Sequence, residues 1–110
     1  MSNPTIHRER NGVVIQKSSK PENKYDAIID GRKKVSFGAQ GMEDFTTHHD
    51  PIRKVRYLAR HGGQNQDWTR SGLETAGFYA RNLLWNKPTL RESVADLNSR
   101  YKDVRFILKI

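Results

Sequence analysis

This 110-residue chain predicts an α+β fold: a β-hairpin plus a C-terminal strand packed against three helices, with an extended basic N-terminal arm. Three observations carry that expectation. Two short alternating segments meet at Asp30-Gly31. Three later stretches repeat apolar residues at helical spacing. Asn86-Lys87-Pro88-Thr89-Leu90 reads as a proline elbow welding the last two of those helices together. The length suits one domain, expected over 25–110, with residues 1–24 as the arm.

The arm comes first. Residues 1–11 are polar, charged and without period, and Lys17 to Lys24 reads similarly. Between them Val13-Val14-Ile15 is a brief apolar run able to pair with a sheet edge or a neighbour. Arg8, Arg10, Val13, Val14 and Ile15 are therefore the expected arm contacts.

Tyr25-Asp26-Ala27-Ile28-Ile29-Asp30 and Lys34-Val35-Ser36-Phe37-Gly38 follow as two strands. Asp30-Gly31 between them is a strong hairpin signal, because both residues tolerate positive φ. Tyr25, Ala27 and Ile29 share one face, and Val35 and Phe37 alternate in the same way. Gly38 and Gly41 punctuate a loop.

Asp50-Pro51 opens the first helix, with Asp50 as cap and Pro51 in the first turn. Ile52, Val55, Leu58 and Ala59 form its apolar stripe, and His61 with Gly62-Gly63 ends it. Trp68 anchors a polar connector. Ser71 and Glu74 read as a capping pair starting a strongly apolar helix that runs to about Trp85. Pro88 cannot continue that helix and pushes Lys87 out of helical conformation. Thr89 and Glu92 then cap the third helix, which runs to about Tyr101 with Leu90, Val94 and Leu97 on one side. Val104, Phe106 and Leu108 alternate in a terminal strand that could lie beside the hairpin.

Phe37-Gly38-x-x-Gly41-x-x-Asp44-Phe45-Thr46-x-His48-x-Asp50, then a basic helix, Trp68, Ser71-Gly72, Thr75-Ala76-Gly77-Phe78 and Leu84-Trp85-Asn86-Lys87-Pro88-Thr89 form a recognisable series. It resembles a family of small basic proteins encoded by large double-stranded DNA viruses of algae and protists and by some tailed phages. The resemblance spans roughly residues 25–100, with the last motif the most specific. It implies a viral setting and little chemistry.

Chemistry is also scarce in the residues themselves. The chain has no cysteine, so disulfides and thiolate metal sites are excluded, which fits a reducing compartment. No serine sits in a Gly-x-Ser-x-Gly elbow. Glu43 and Asp44 are adjacent in a loop, unlike a separated acid–base pair. Gly38-x-x-Gly41 lacks the Gly-Lys-Ser/Thr ending of a phosphate loop. His48, His49, Asp50 and His61 lack the spacing of a helical zinc pair, and Asp50 is already used as a cap. No catalytic residue, metal or cofactor is expected, and no small-molecule substrate. No apolar run is long enough for a membrane span.

Binding is the better expectation. Twenty Lys+Arg against twelve Asp+Glu leave a net charge of +8. The excess lies at the two ends, which suggests peripheral contacts. Arg53, Arg56 and Arg60, with Lys54 beside them, line one helix face away from Ile52, Val55 and Leu58. Lys87 and Arg91 lead a second, looser set with Arg100, Lys102 and Arg105. Such faces can be merely solvated, or can meet phosphates or acidic protein surface. Asp50, Pro51, Trp68, Ser71, Glu74, Trp85, Pro88, Thr89 and Glu92 are expected to be structural. The functional expectation is a virion structural protein, a minor capsid or cement-like component that bridges larger capsid subunits. It would reside in the virion, and in the host cell interior during assembly. Its partners would be other capsid or virion proteins. The alternative is non-specific binding of duplex DNA in genome packaging or regulation.

Overall fold

The computed structural model describes residues 11–62 and 66–110. Its centre is a four-stranded mixed sheet in the order β3-β2-β1-β4, with helices on one face. The strands are β1 (Asn11–Lys17), β2 (Asn23–Ile29), β3 (Lys33–Ala39) and β4 (Val104–Lys109). The helices are α1 (Phe45–His48), α2 (Pro51–Gly62), α3 (Ala76–Tyr79, continued by a π turn through Ala80–Leu84) and α4 (Leu90–Arg100). The class is α+β.

The hairpin forms where the sequence places it. Asp30 and Gly31 both take positive φ, 54° and 70°, and Arg32 N–H donates to Ile29 C=O at 3.0 Å to close the turn. Left-handed residues at both turn positions match the twist of the flanking strands. Asp30 also binds the next strand, accepting from Gly12 N–H at 2.9 Å.

The arm is where the expectation changes. Residues 11–17 are an inner strand, antiparallel to β2 with Val13 opposite Ile29, and parallel to β4 with Val13 opposite Phe106. Val13 and Ile15 are fully buried in the core of this chain, so they cannot lie on a neighbour. The reason is alternation: Val13 and Ile15 complete the apolar face begun by Ala27, Ile29, Val35 and Phe37, and β4 needs a partner. Val14, on the opposite face, is half-buried between Ile28 and Ile107. The folded unit therefore takes in residues 11–24. Arg8 and Arg10 lie outside the described residues.

Sheet and helices share one core: Phe37, Phe78, Tyr79, Leu83 and Leu97 pack with the inward strand residues. Phe37 and Tyr79 stack at 5.5 Å. One helix start departs from expectation. Ser71 and Gly72 lie in a 3-10 turn (Arg70–Gly72), and α3 begins later with Thr75 as its cap, accepting from Phe78 N–H at 3.3 Å. Ser71 instead donates its hydroxyl to the Asp67 carboxylate, and Glu74 is exposed. A glycine lets the turn tuck in: a Cβ on Gly72 would sit 1.9 Å from the Asp67 carbonyl oxygen. At α4 the cap is as expected, since Glu92 N–H donates to Thr89 Oγ1 at 3.1 Å. Thr89 in turn donates to the Glu92 carboxylate at 3.0 Å.

β4 forms one edge of the sheet. There the side-chain amide of Asn98 accepts from Phe106 N–H at 2.8 Å and donates to Phe106 C=O at 2.9 Å. That plugs the middle of the outer edge, a known protection against strand pairing between molecules.

Candidate functional site

The basic helix α2 is positioned by a short chain of caps. Asp44 caps α1, accepting from Thr46 N–H at 2.9 Å, and forms a buried ion pair with Lys24 at 2.7 Å. His49 ends α1 in left-handed conformation, φ 56°. Asp50 caps α2 as the sequence predicts, accepting from Ile52 N–H at 2.9 Å, with Pro51 in the first turn. His48 Nδ1 accepts from Asp50 N–H at 2.9 Å, so its proton sits on the buried Nε2.

α2 is rotated from the orientation its apolar stripe predicts. Ile52 and Val55 are 62% and 63% exposed, and Ala59 is exposed beside them. The seated stripe is instead Lys54, Tyr57, Leu58 and His61, the i, i+3, i+4, i+7 pattern of a packed face. Tyr57 explains the choice. Its ring stacks on Trp85 at 4.3 Å with planes 4° apart, and His61 stacks on it at 4.1 Å. Such ring pairs add about 0.5–1.5 kcal/mol beyond the area they bury.

Lys54 completes the seat. Its ammonium donates to the Asn86 carbonyl at 2.6 Å and lies 5.0 Å from the Phe45 ring centre. Burial, with the charges of Arg81 and Lys87, holds its pKa below the usual lysine range. Lys54 is thus committed to the fold, which corrects its placement among the partner-binding cations.

The proline elbow is the other half of the seat. Trp85 ends the π turn by donating its N–H to Ala80 C=O at 3.1 Å. Asn86 donates its amide to Asp96 at 2.8 Å, and Lys87 N–H donates to Ser93 Oγ at 3.0 Å. Arg100 joins through Asp96 at 3.0 Å and Asn82 at 2.8 Å. Hydrogen bonds from Asn86 and Arg100 outweigh the desolvation of Asp96 and lower its pKa. Trp85 packs against the core and stacks on Tyr57. Pro88 is exposed, so it shapes the elbow and adds nothing to the core. Trp68 donates its indole N–H to Gln66 at 2.9 Å and lies 5.6 Å from the Arg81 guanidinium.

Three arginines of α2 do face solvent. Arg53 pairs with Glu43 at 2.9 Å, both partners exposed. Arg56 and Arg60 have no ion partner among the described residues. Lys87 and Arg91 are exposed at the elbow and the start of α4. Lys102 and Arg105 are exposed at β4, while Arg100 is tied to Asp96. The outward face of α2 therefore sets an aliphatic strip, Ile52, Val55 and Ala59, beside a guanidinium row. The sequence carries a signal for this in Tyr57, Leu58 and His61, which share one side of the helix with Lys54.

The histidines are kept apart. His48 packs on Trp85 at 5.3 Å, and His61 lies beyond Tyr57, so two aromatic rings separate them. Among the described residues no three His, Asp or Glu side chains gather as a metal site.

Neither the curated proteins nor the solved structures yield a match to this chain. Residues 13–61, which run from β1 almost to the end of α2 and stop short of the elbow, match the model of a family of unknown function (DUF5754).

Proposed function

We propose that this protein is a virion structural component, minor capsid or cement-like, that binds larger capsid subunits through the outward face of α2. The observation that carries the reading is the pairing of exposed Ile52 and Val55 with Arg53, Arg56 and Arg60 on one helix. An interface with an acidic protein uses both halves: aliphatic groups fill its centre and arginines reach carboxylates at the rim. A phosphate backbone would use only the arginines. The viral setting rests on the resemblance carried by the elbow motif. The reading assigns no turnover and no cofactor, and it places the protein in the virion and, during assembly, inside the host cell.

Mass spectrometry of purified particles tests it. A copy number in fixed proportion to the major capsid protein is expected, and absence from particles would end the reading. Duplex DNA binding is the second reading, favoured by Arg56 and Arg60 being free of carboxylates and by exposed Lys34, Arg105 and Lys109 on the sheet. It predicts a steep salt dependence, with a log–log slope of about −0.9 per phosphate neutralised. Replacing Arg53, Arg56 and Arg60 by Ala would flatten that slope. An unchanged slope removes the phosphate contacts.

A further inference from the structure

A cleft of about 300 Å³ opens between α2 and the loop that follows β3. Met42, Tyr57, Leu84 and Trp85 supply its apolar walls, and Arg60 and His61 stand on the α2 side. Met42 is 65% exposed, an unusual position for a long apolar side chain. Methionine is flexible and polarisable, and adapts to whatever is set against it. The volume lies at the lower bound of small-molecule sites. It is large enough to take a single bulky side chain, the kind of pocket into which an interface anchor residue fits.

The charges around the cleft are unequal. Lys24 is cancelled by Asp44 at 2.7 Å, and Glu43 is held by Arg53 at 2.9 Å. Arg60 in the cleft wall, and Arg56 beside it on α2, are left with no ion partner among the described residues. Burial and the charge of Arg60 lower the pKa of His61, which leaves the arginines as the dominant cations.

We propose that this cleft receives one large apolar side chain from an acidic segment of a partner protein, whose carboxylates meet Arg56 and Arg60. The proposal rests on the protein-docking reading above and gives that partner a chemistry: an aromatic or long aliphatic anchor flanked by Asp or Glu. It also gives the exposed Met42 a use, since the anchor covers it.

The experiment titrates the full chain with two short synthetic peptides, both rich in Asp and Glu, one with a central Phe and one with Ala in its place. NMR reports the Met42 methyl, the Trp85 indole and the Ala80 methyl. The Phe peptide should bind about tenfold more tightly, equivalent to about 1.4 kcal/mol, with shifts centred on those three groups. Ala39→Trp, which fills the cleft mouth from an exposed position, should abolish the Phe preference. Met42→Ala should weaken it, and serves if the Trp variant does not fold. Arg60→Glu should weaken both peptides. Equal affinity for the two peptides, no binding by either, or shifts spread over the sheet would overturn the proposal. So would a duplex DNA that moves the same three resonances at equal charge concentration. Failure here leaves the particle measurement standing, because copy number in virions does not depend on this cleft.

Discussion

Asp26→Asn tests how the sheet holds its most buried charge. Asp26 lies on β2, on the sheet face away from the helices, and is 0% exposed because the β1–β2 turn folds over it. Its carboxylate accepts from Ser18 Oγ and Ser36 Oγ, both at 2.7 Å, and from Ser19 N–H at 3.1 Å and Ser19 Oγ at 3.3 Å. Lys34 donates to Ser19 Oγ at 3.1 Å behind them. An asparagine keeps one acceptor oxygen and turns the other into a donor. The amide can keep its oxygen on Ser19 N–H and turn its NH2 to the Ser18 and Ser36 hydroxyls, which rotate to accept, so the cost is the loss of charge from the four bonds. A hydrogen bond to a charged group is worth about 1.5–3 kcal/mol, against about 0.5–1.5 kcal/mol for a neutral one. The expected loss is about 2–3 kcal/mol, or a fall of about 10 °C in Tm for a chain this long.

The pH dependence supplies the sharper check. Burial by itself raises the Asp26 pKa, but hydrogen bonds from Ser18, Ser36 and Ser19, with the Lys34 charge, outweigh it and bring the pKa below 3.8. A carboxylate with a lowered folded pKa contributes stability that is complete above the unfolded pKa. That stability is lost as pH falls through the folded value. The stability difference between the native chain and the Asp26→Asn variant should therefore be largest at neutral pH and shrink below about pH 3.8. Urea unfolding followed by tryptophan fluorescence at both pH values measures it. A loss under about 0.5 kcal/mol at neutral pH, or a loss of equal size in acid, would refute the account.

Three further outcomes are expected. Asn98→Val uncovers the Phe106 backbone on the outer edge of β4, so it should cost about 1–3 kcal/mol and bring concentration-dependent self-association in sedimentation; a monomer at every concentration would show the edge needs no plug. Gly72→Ala drives a Cβ into the Asp67 carbonyl and should cost about 3 kcal/mol or more, whereas Gly12→Ala meets nothing within 4 Å and should stay within about 0.5 kcal/mol. Equal thermal shifts for the two glycines would contradict the packing described. Tyr79→Phe should be neutral or stabilising by about 1 kcal/mol, because the buried hydroxyl has no hydrogen-bond partner among the described residues; a clear loss of stability in urea would mean the hydroxyl is satisfied.

Local signals decide the structure wherever the chain obeys short-range rules. Asp30-Gly31 had to turn, Asp50-Pro51 and Thr89 had to start helices, and Pro88 had to end one. At each of these positions φ restriction or an unpaired N–H decides the outcome within a few residues. The Ser71-Glu74 pair misled because Thr75, shortly after it, offers the same hydroxyl. The approach of Gly72 to Asp67 then settled which of the two caps the helix. For the candidate surface, Arg53, Arg56 and Arg60 were legible as an exposed row. Lys54 was not separable from them, since only the Asn86 carbonyl and the Phe45 ring distinguish it.

By itself, then, the sequence determined the hairpin, the starts of α2 and α4, the terminal strand, the elbow and the excess of positive charge, all properties of neighbouring residues. Tertiary structure alone decided that Val13 and Ile15 form an inner strand, because a parallel partner from the far end of the chain, Phe106 for Val13, leaves no local mark. It also decided which side of α2 faces outward. The flat stack of Tyr57 on Trp85, brought together only by folding, turned Ile52 and Val55 to the surface.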